Sequence, residues 1–138
     1  MKALYLHSKE FFYKPVKPVG DIPKDDIEDL DREFKECIVV FLTIEDGDWE
    51  RREVVIQEFS RDLLNKMKDL KVERVVVYPY AHLSENLEDP RRAFRMLKML
   101  DRRFKELNIQ YHRAPFGWYK EFRIHIYGHP LAESSRRF

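Results

Sequence analysis

Apolar and polar positions alternate along this chain in rhythms that change from segment to segment. Residues 2 to 7 follow a period of two around Ala3-Leu4-Tyr5-Leu6 and end at His7-Ser8, which predicts a short strand. Phe11 to Val19 is also extended, and Pro15 and Pro18 assign it to an edge strand or a hairpin partner of the first. The acid-rich stretch from Gly20 to Glu36, with Pro23, predicts a mobile loop holding at most a helical turn. Cys37-Ile38-Val39-Val40-Phe41-Leu42, within Glu36 to Glu45, is nearly continuous and β-branched, the pattern of a central strand buried on both faces. Helical spacing follows. Asp48 is the expected N-cap, and Val55, Phe59, Leu63, Met67 and Leu70 mark one apolar stripe. Val75-Val76-Val77-Tyr78 is a second buried strand, leaving through Pro79-Tyr80-Ala81-His82-Leu83-Ser84. Asp89 and Pro90 then open a second helix, packed through Phe94, Leu97, Leu100, Phe104 and Leu107. A short strand at Ile109 to Arg113 precedes the last extended stretch. This order predicts an α/β protein with a mixed β-sheet core and two amphipathic helices, both mostly on one face.

The last extended stretch carries the first chemical signal. From Tyr119 to Tyr127 a period of two sets Tyr119, Glu121, Arg123, His125 and Tyr127 on one face and Lys120, Phe122, Ile124 and Ile126 on the other. Lys120 therefore stands in line with three core-directed hydrophobes, where loss of water disfavours its charged form. Two settings fit that position: a catalytic lysine, or a side chain that snorkels past the sheet edge into water. His7, Ser8, His82 and Lys120 all lie at strand exits or entries, and a pocket where they converge is the expected site.

Composition narrows the choices. With 26 basic and 25 acidic side chains in 138 residues, the chain reads as one near-neutral domain, so any cationic surface must be local. One is visible: Arg91, Arg92, Arg95, Lys98, Arg102, Arg103 and Lys105 crowd the second helix, as a phosphate-binding face or as a solvated one. The single cysteine, Cys37, reads as a buried inert thiol in a reducing, cytoplasmic setting, and no apolar run approaches membrane-spanning length. The five histidines include no His-x-x-x-His helix and no cysteine cluster, so neither a metal nor a cofactor is expected. Neither Ser8 nor Ser84 lies in a nucleophile-elbow pattern, and glycine-rich phosphate loops are absent. What remains is a set of Tyr, His, Lys and Glu suited to positioning a water and stabilising an oxyanion, that is, acyl transfer to water.

Three segments in order, Tyr78-Pro79-Tyr80-Ala81-His82-Leu83-Ser84, Ala114-Pro115-Phe116-Gly117-Trp118-Tyr119-Lys120 and Gly128-His129-Pro130-Leu131-Ala132-Glu133, resemble the N-terminal editing domain of archaeal threonyl-tRNA synthetases. The resemblance spans the chain, with His7-Ser8 and Phe41-Leu42-Thr43-Ile44-Glu45 also matching. It implies a fold like that of D-aminoacyl-tRNA deacylases, usually dimeric, and hydrolysis of serine wrongly esterified to the 3′ end of threonine tRNA. The RNA's own 2′-hydroxyl would help organise the attacking water. Carried over by position, Lys120 would orient that water or stabilise the tetrahedral intermediate, Tyr119 would line the pocket, and His82 and Glu133 would hold the substrate. Phe116 would stack on the adenine, and backbone groups near Ile44, Pro79 and Ala81 would read the substrate. Trp118 stands where a tyrosine is familiar, a departure from the pattern.

The same resemblance implies that the remainder of a threonyl-tRNA synthetase is a partner, either in the same polypeptide or on a separate chain. Two other functions stay open beside the one the resemblance implies. One is a D-aminoacyl-tRNA deacylase, since backbone contacts can select chirality without a sequence signature. The other is a non-catalytic tRNA-binding module built on the basic helix, whose binding would be salt-sensitive.

Overall fold

The computed structural model describes residues 1–27 and 31–138. Six strands and two helices follow one another as β1 (Lys2–Pro18), β2 (Arg32–Thr43), α1 (Arg52–Leu70), β3 (Arg74–Pro79), a 3₁₀ turn (Ala81–Leu83), α2 (Pro90–Glu106), β4 (Gln110–Arg113), β5 (Trp118–Ile126) and β6 (Glu133–Arg137). The sheet order is β4-β3-β2-β1-β5, with β6 also on β1. β2, β3 and β4 run parallel, while β1 is antiparallel to β2, β5 and β6.

The parallel half explains where the helices lie. β2-α1-β3 and β3-α2-β4 step across the sheet in one direction, and crossovers of one hand then put both helices on one face. Ile38, Val40 and Leu42 of β2, with Val75 and Val77 of β3, meet Val55, Phe59 and Leu63 of α1 and Met96, Leu97, Leu100 and Phe104 of α2. The alternate residues Val39, Phe41, Val76 and Tyr78 point the other way into a second core with Phe11 and Tyr13. There the sheet curls, so that Phe122 of β5 comes within 5.4 Å of both the Phe41 and Tyr78 rings. Burial on both faces is what the continuous apolar runs of β2 and β3 anticipate.

Three expectations change. The two N-terminal segments are not hairpin partners: they form one strand of 17 residues, β1, with β-bulges at Ser8/Glu10 and Pro15/Lys17 in its pairing with β5. Among the described residues, pairing with β2 runs to Tyr13↔Arg32, and Pro15 and Pro18 lie beyond that last described pair. The loop expected from Gly20 to Glu36 is shorter, because Arg32 to Glu36 already belong to β2; residues 28–30 of that stretch lie outside the described residues. Asp48 does not cap α1, whose N-cap is Arg51 with no side-chain bond. Buried Asp48 instead accepts from the Met1 amine at 2.7 Å and from the Glu45 N–H at 2.7 Å, charge-assisted bonds that outcompete a helix end. The α2 start is as read: Asp89 accepts from the N–H groups of Arg91 and Arg92, and Pro90 occupies the first turn.

Candidate active site

The carboxyl ends of β2 and β3 converge with the start of β5 and the first turns of α2 on one cavity of about 410 Å³. Crevices beyond the carboxyl ends of parallel strands are where α/β sheets bind ligands, because the strands stop there while the flanking segments continue. Leu42, Ile44, Tyr78, Leu97, Phe116 and Phe122 supply apolar wall, and Thr43, His82, Glu88, Tyr119 and Lys120 supply polar groups.

Lys120 lies on the inward face of β5, as its period of two requires. Its ammonium donates to the carbonyls of Pro115 at 3.0 Å and Trp118 at 2.9 Å, and it sits 4.8 Å from the centre of the Tyr78 ring. Among the described residues no carboxylate forms an ion pair with it. Burial therefore dominates and pulls its pKa down to about 8, with Asp25 opposing and Arg113 reinforcing the shift. The cation is held by carbonyl dipoles and a π face rather than by a counter-ion. Two of its three N–H groups are engaged, so one is left for a group in the cavity.

The wall that carries Lys120 is fixed by a charged network. Asp25 is only 11% exposed at its side chain and accepts from Arg113 at 2.6 Å, from Lys98 at 2.7 Å and from the Phe116 N–H at 2.8 Å. The Asp25 N–H donates back to the Phe116 carbonyl at 3.0 Å, and the Trp118 indole donates to the Asp25 carbonyl at 2.9 Å. Burial alone would raise the Asp25 pKa, but Arg113, Lys98 and the Phe116 amide hold it down at about 2. Arg113 also bonds Asp101 of α2 at 2.9 Å, so strand, helix and loop meet at one guanidinium. Gly117 is required at the turn. Its φ is +79°, and a Cβ there would lie 2.4 Å from the Pro23 carbonyl oxygen.

On the opposite wall, the Thr43 hydroxyl donates to the Tyr80 carbonyl and the Tyr80 N–H donates to the Leu42 carbonyl at 2.9 Å, tying the β3 exit to β2. His82 is exposed in the 3₁₀ turn with its ring 5.2 Å from Tyr80. Buried Glu88 accepts from the N–H groups of Asp89 and Trp49, fixing the start of α2. Phe116 is stacked on Phe94 at 5.5 Å.

The structure thus gathers Lys120, Tyr119, His82, Phe116, Ile44, Pro79 and Ala81 around one cavity. Tyr119 is more than half exposed at its rim. Glu133 is not among them: it pairs with Leu6 at the start of β6 and borders a smaller cleft with Tyr5, His7 and Lys66. His7 and Ser8 also fall outside the cavity, against the expected convergence, because β1 does not exit there but runs on to Pro18. His7 instead shares a hydrogen bond of 2.8 Å with His129, and Ser8 is buried against the Leu6 carbonyl. Asp25 and Arg113 escape a reading by sequence: they are 88 positions apart, and neither stands in a motif.

Comparison with known proteins identifies the family of the chain. The family described as the archaea-specific editing domain of threonyl-tRNA synthetase matches residues 1–138. The chain is 42% identical over 136 residues to a threonine--tRNA ligase of Thermofilum pendens, covering 99% of this chain and 22% of that protein. It is 43% identical over 139 residues to the threonine--tRNA ligase editing subunit of Aeropyrum pernix, covering 100% of this chain and 32% of that protein. The editing subunit of Saccharolobus solfataricus is 39% identical over 137 residues, with 99% and 34% covered. The chain spans about a third or less of the length of these relatives. With a family match over its whole length, this chain belongs to the archaea-specific editing domains of threonyl-tRNA synthetase.

Proposed function

We propose that this domain hydrolyses serine wrongly esterified to threonine tRNA. The observation that carries the reading is Lys120, a desolvated ammonium with no carboxylate paired to it among the described residues and one free N–H in an apolar cavity. In the proposed reaction a water oxygen attacks the ester carbonyl, and negative charge builds on the carbonyl oxygen. Lys120 stabilises that charge more strongly than it would in water, because the cavity is largely apolar. The bond between the carbonyl carbon and the ribose 3′-oxygen then breaks, the 3′-oxygen takes up the proton shed by the attacking water, and serine leaves as the free acid. The neighbouring 2′-hydroxyl organises the water, His82 and Tyr119 hold the substrate at the rim, and Phe116 with backbone groups of Ile44, Pro79 and Ala81 receives the seryl-adenosine end. Glu133 enters this reading only as a substrate-holding group that one chain alone does not bring to the cavity.

The need for such a site follows from size. Serine lacks one methyl of threonine, and a methyl group discriminates by only ~1–3 kcal/mol, so a second hydrolytic selection supplies what binding cannot. The reading includes a homodimer acting in the cytoplasm with the rest of a threonyl-tRNA synthetase, whether fused or separate; sedimentation of the isolated chain tests the dimer. Single-turnover deacylation of Ser-tRNA(Thr), Thr-tRNA(Thr) and D-seryl-tRNA, side by side, tests the activity. Fast loss of L-serine with threonine spared is the expected result. Preferential loss of the D-ester moves the chain to D-aminoacyl-tRNA deacylation, and survival of all three esters sinks the hydrolytic reading for this chain alone.

A further inference from the structure

The two helices differ in charge although they share one core. α1 carries four basic and four acidic residues, whereas α2 carries seven basic residues and two acidic ones. At 100° per residue, Arg91, Arg95, Lys98, Arg102 and Lys105 fall within an arc of about 80°, diametrically opposite the buried stripe of Ala93, Met96, Leu97, Leu100 and Phe104. The stripe is roughly 21 Å long at 1.5 Å per residue. Lys98 bonds Asp25, but among the described residues no carboxylate lies within ion-pair distance of Arg91, Arg95, Arg102 or Lys105. Arg92 and Arg103, which sit off the stripe, are paired with Glu50 and Glu106.

The helix that carries the stripe begins at the cavity. Pro90, Ala93 and Leu97 line the cavity, Phe94 stacks on Phe116 of its wall, and the cations run away from that mouth toward the C-terminal end of α2. We propose that the outward stripe of α2 binds the phosphate backbone of the RNA duplex whose single-stranded 3′ end enters the cavity. The inference rests on the editing reading for the nature of the ligand. A row of unpaired guanidiniums tracking from the mouth suits a polyanion that continues beyond the reacting end, and cations that meet only phosphates add affinity without reading bases.

The test replaces Arg91, Arg95 and Arg102 by Gln together, which keeps helix propensity and removes charge. An Arg61→Gln/Lys68→Gln variant of α1 is the control. Single-turnover deacylation is measured against enzyme concentration for full-length Ser-tRNA(Thr) and for a seryl ester of adenosine. The expected result is a half-saturating concentration at least tenfold higher for the tRNA, a salt dependence reduced by about 3 in slope, and an unchanged rate on the adenosine ester. Unchanged tRNA saturation overturns the proposal, as does an equal loss in the α1 control or an equal loss on the adenosine ester. If the esters resist hydrolysis, the editing reading fails by itself, and titration of uncharged tRNA against salt still decides the stripe: tenfold weaker binding by the α2 variant supports it, and equal binding overturns it.

Discussion

The two ends of the sheet hold similar side chains in opposite circumstances. At one end Lys120 and His82 border a cavity made by parallel strands that stop together; at the other, His7 and His129 bond each other, and the Tyr127 hydroxyl donates to Glu36 at 2.6 Å. Among these groups Lys120 alone combines burial, a lowered pKa and a spare N–H with no described carboxylate paired to it. Strand direction makes the difference. β2 and β3 end side by side and leave a crevice, while antiparallel β1 passes through the His7 region with neighbours on both edges. A polar residue near the end of an apolar run becomes a site residue only where adjacent strands end with it.

The largest expected effect that would break this contrast lies in the wall behind the cavity. Asp25→Asn leaves the Arg113 guanidinium, 6% exposed, with Asp101 as its remaining carboxylate, and denaturant unfolding should show a loss of about 3 kcal/mol. The ionised Asp25 stabilises the fold above its unfolded value of 3.8, and that contribution disappears as pH falls through about 2. A variant as stable as the natural chain would show that the network does not fix the wall.

Next in size is Lys120→Met, which should lower the single-turnover rate at least tenfold with circular dichroism unchanged, since Met suits an apolar face. The lysine acts as a cation in the proposed step, so the enzymic rate above background should fall as pH rises through about 8. Stability runs the other way. The folded pKa lies below the unfolded value of 10.5, so between pH 8 and 10.5 the unfolded chain binds more protons. The natural protein should therefore gain up to about 3 kcal/mol relative to Lys120→Met across that window. A flat difference would mean that Lys120 is solvated.

The smallest effect sharpens the comparison from the other end. His129→Ala removes the bond to His7 and the one accepted from the Leu131 N–H, costing about 1 kcal/mol by thermal unfolding and less than twofold in deacylation. A tenfold loss of activity there would join the two ends into one site.

What the residues alone determine about this protein is whatever neighbours in sequence can decide. Asp89-Pro90 and the apolar stripe behind them specify α2, the β-branched runs specify β2 and β3, and a period of two points Lys120 inward before any fold is known. The three segments 78–84, 114–120 and 128–133 carry the family, and the first two mark the cavity. Tertiary structure alone decides that Lys2 to Pro18 is one strand, since strand pairing with β2, β5 and β6 joins two stretches whose prolines argue for separation. It alone brings Asp25 to Arg113, gives Asp48 to a buried amine instead of a helix end, and carries Glu133 away from the cavity on β6. The physical reason is range. Periodicity and capping act over a few residues, whereas ion pairs and strand partners are settled by what the curled sheet brings close from tens of positions away.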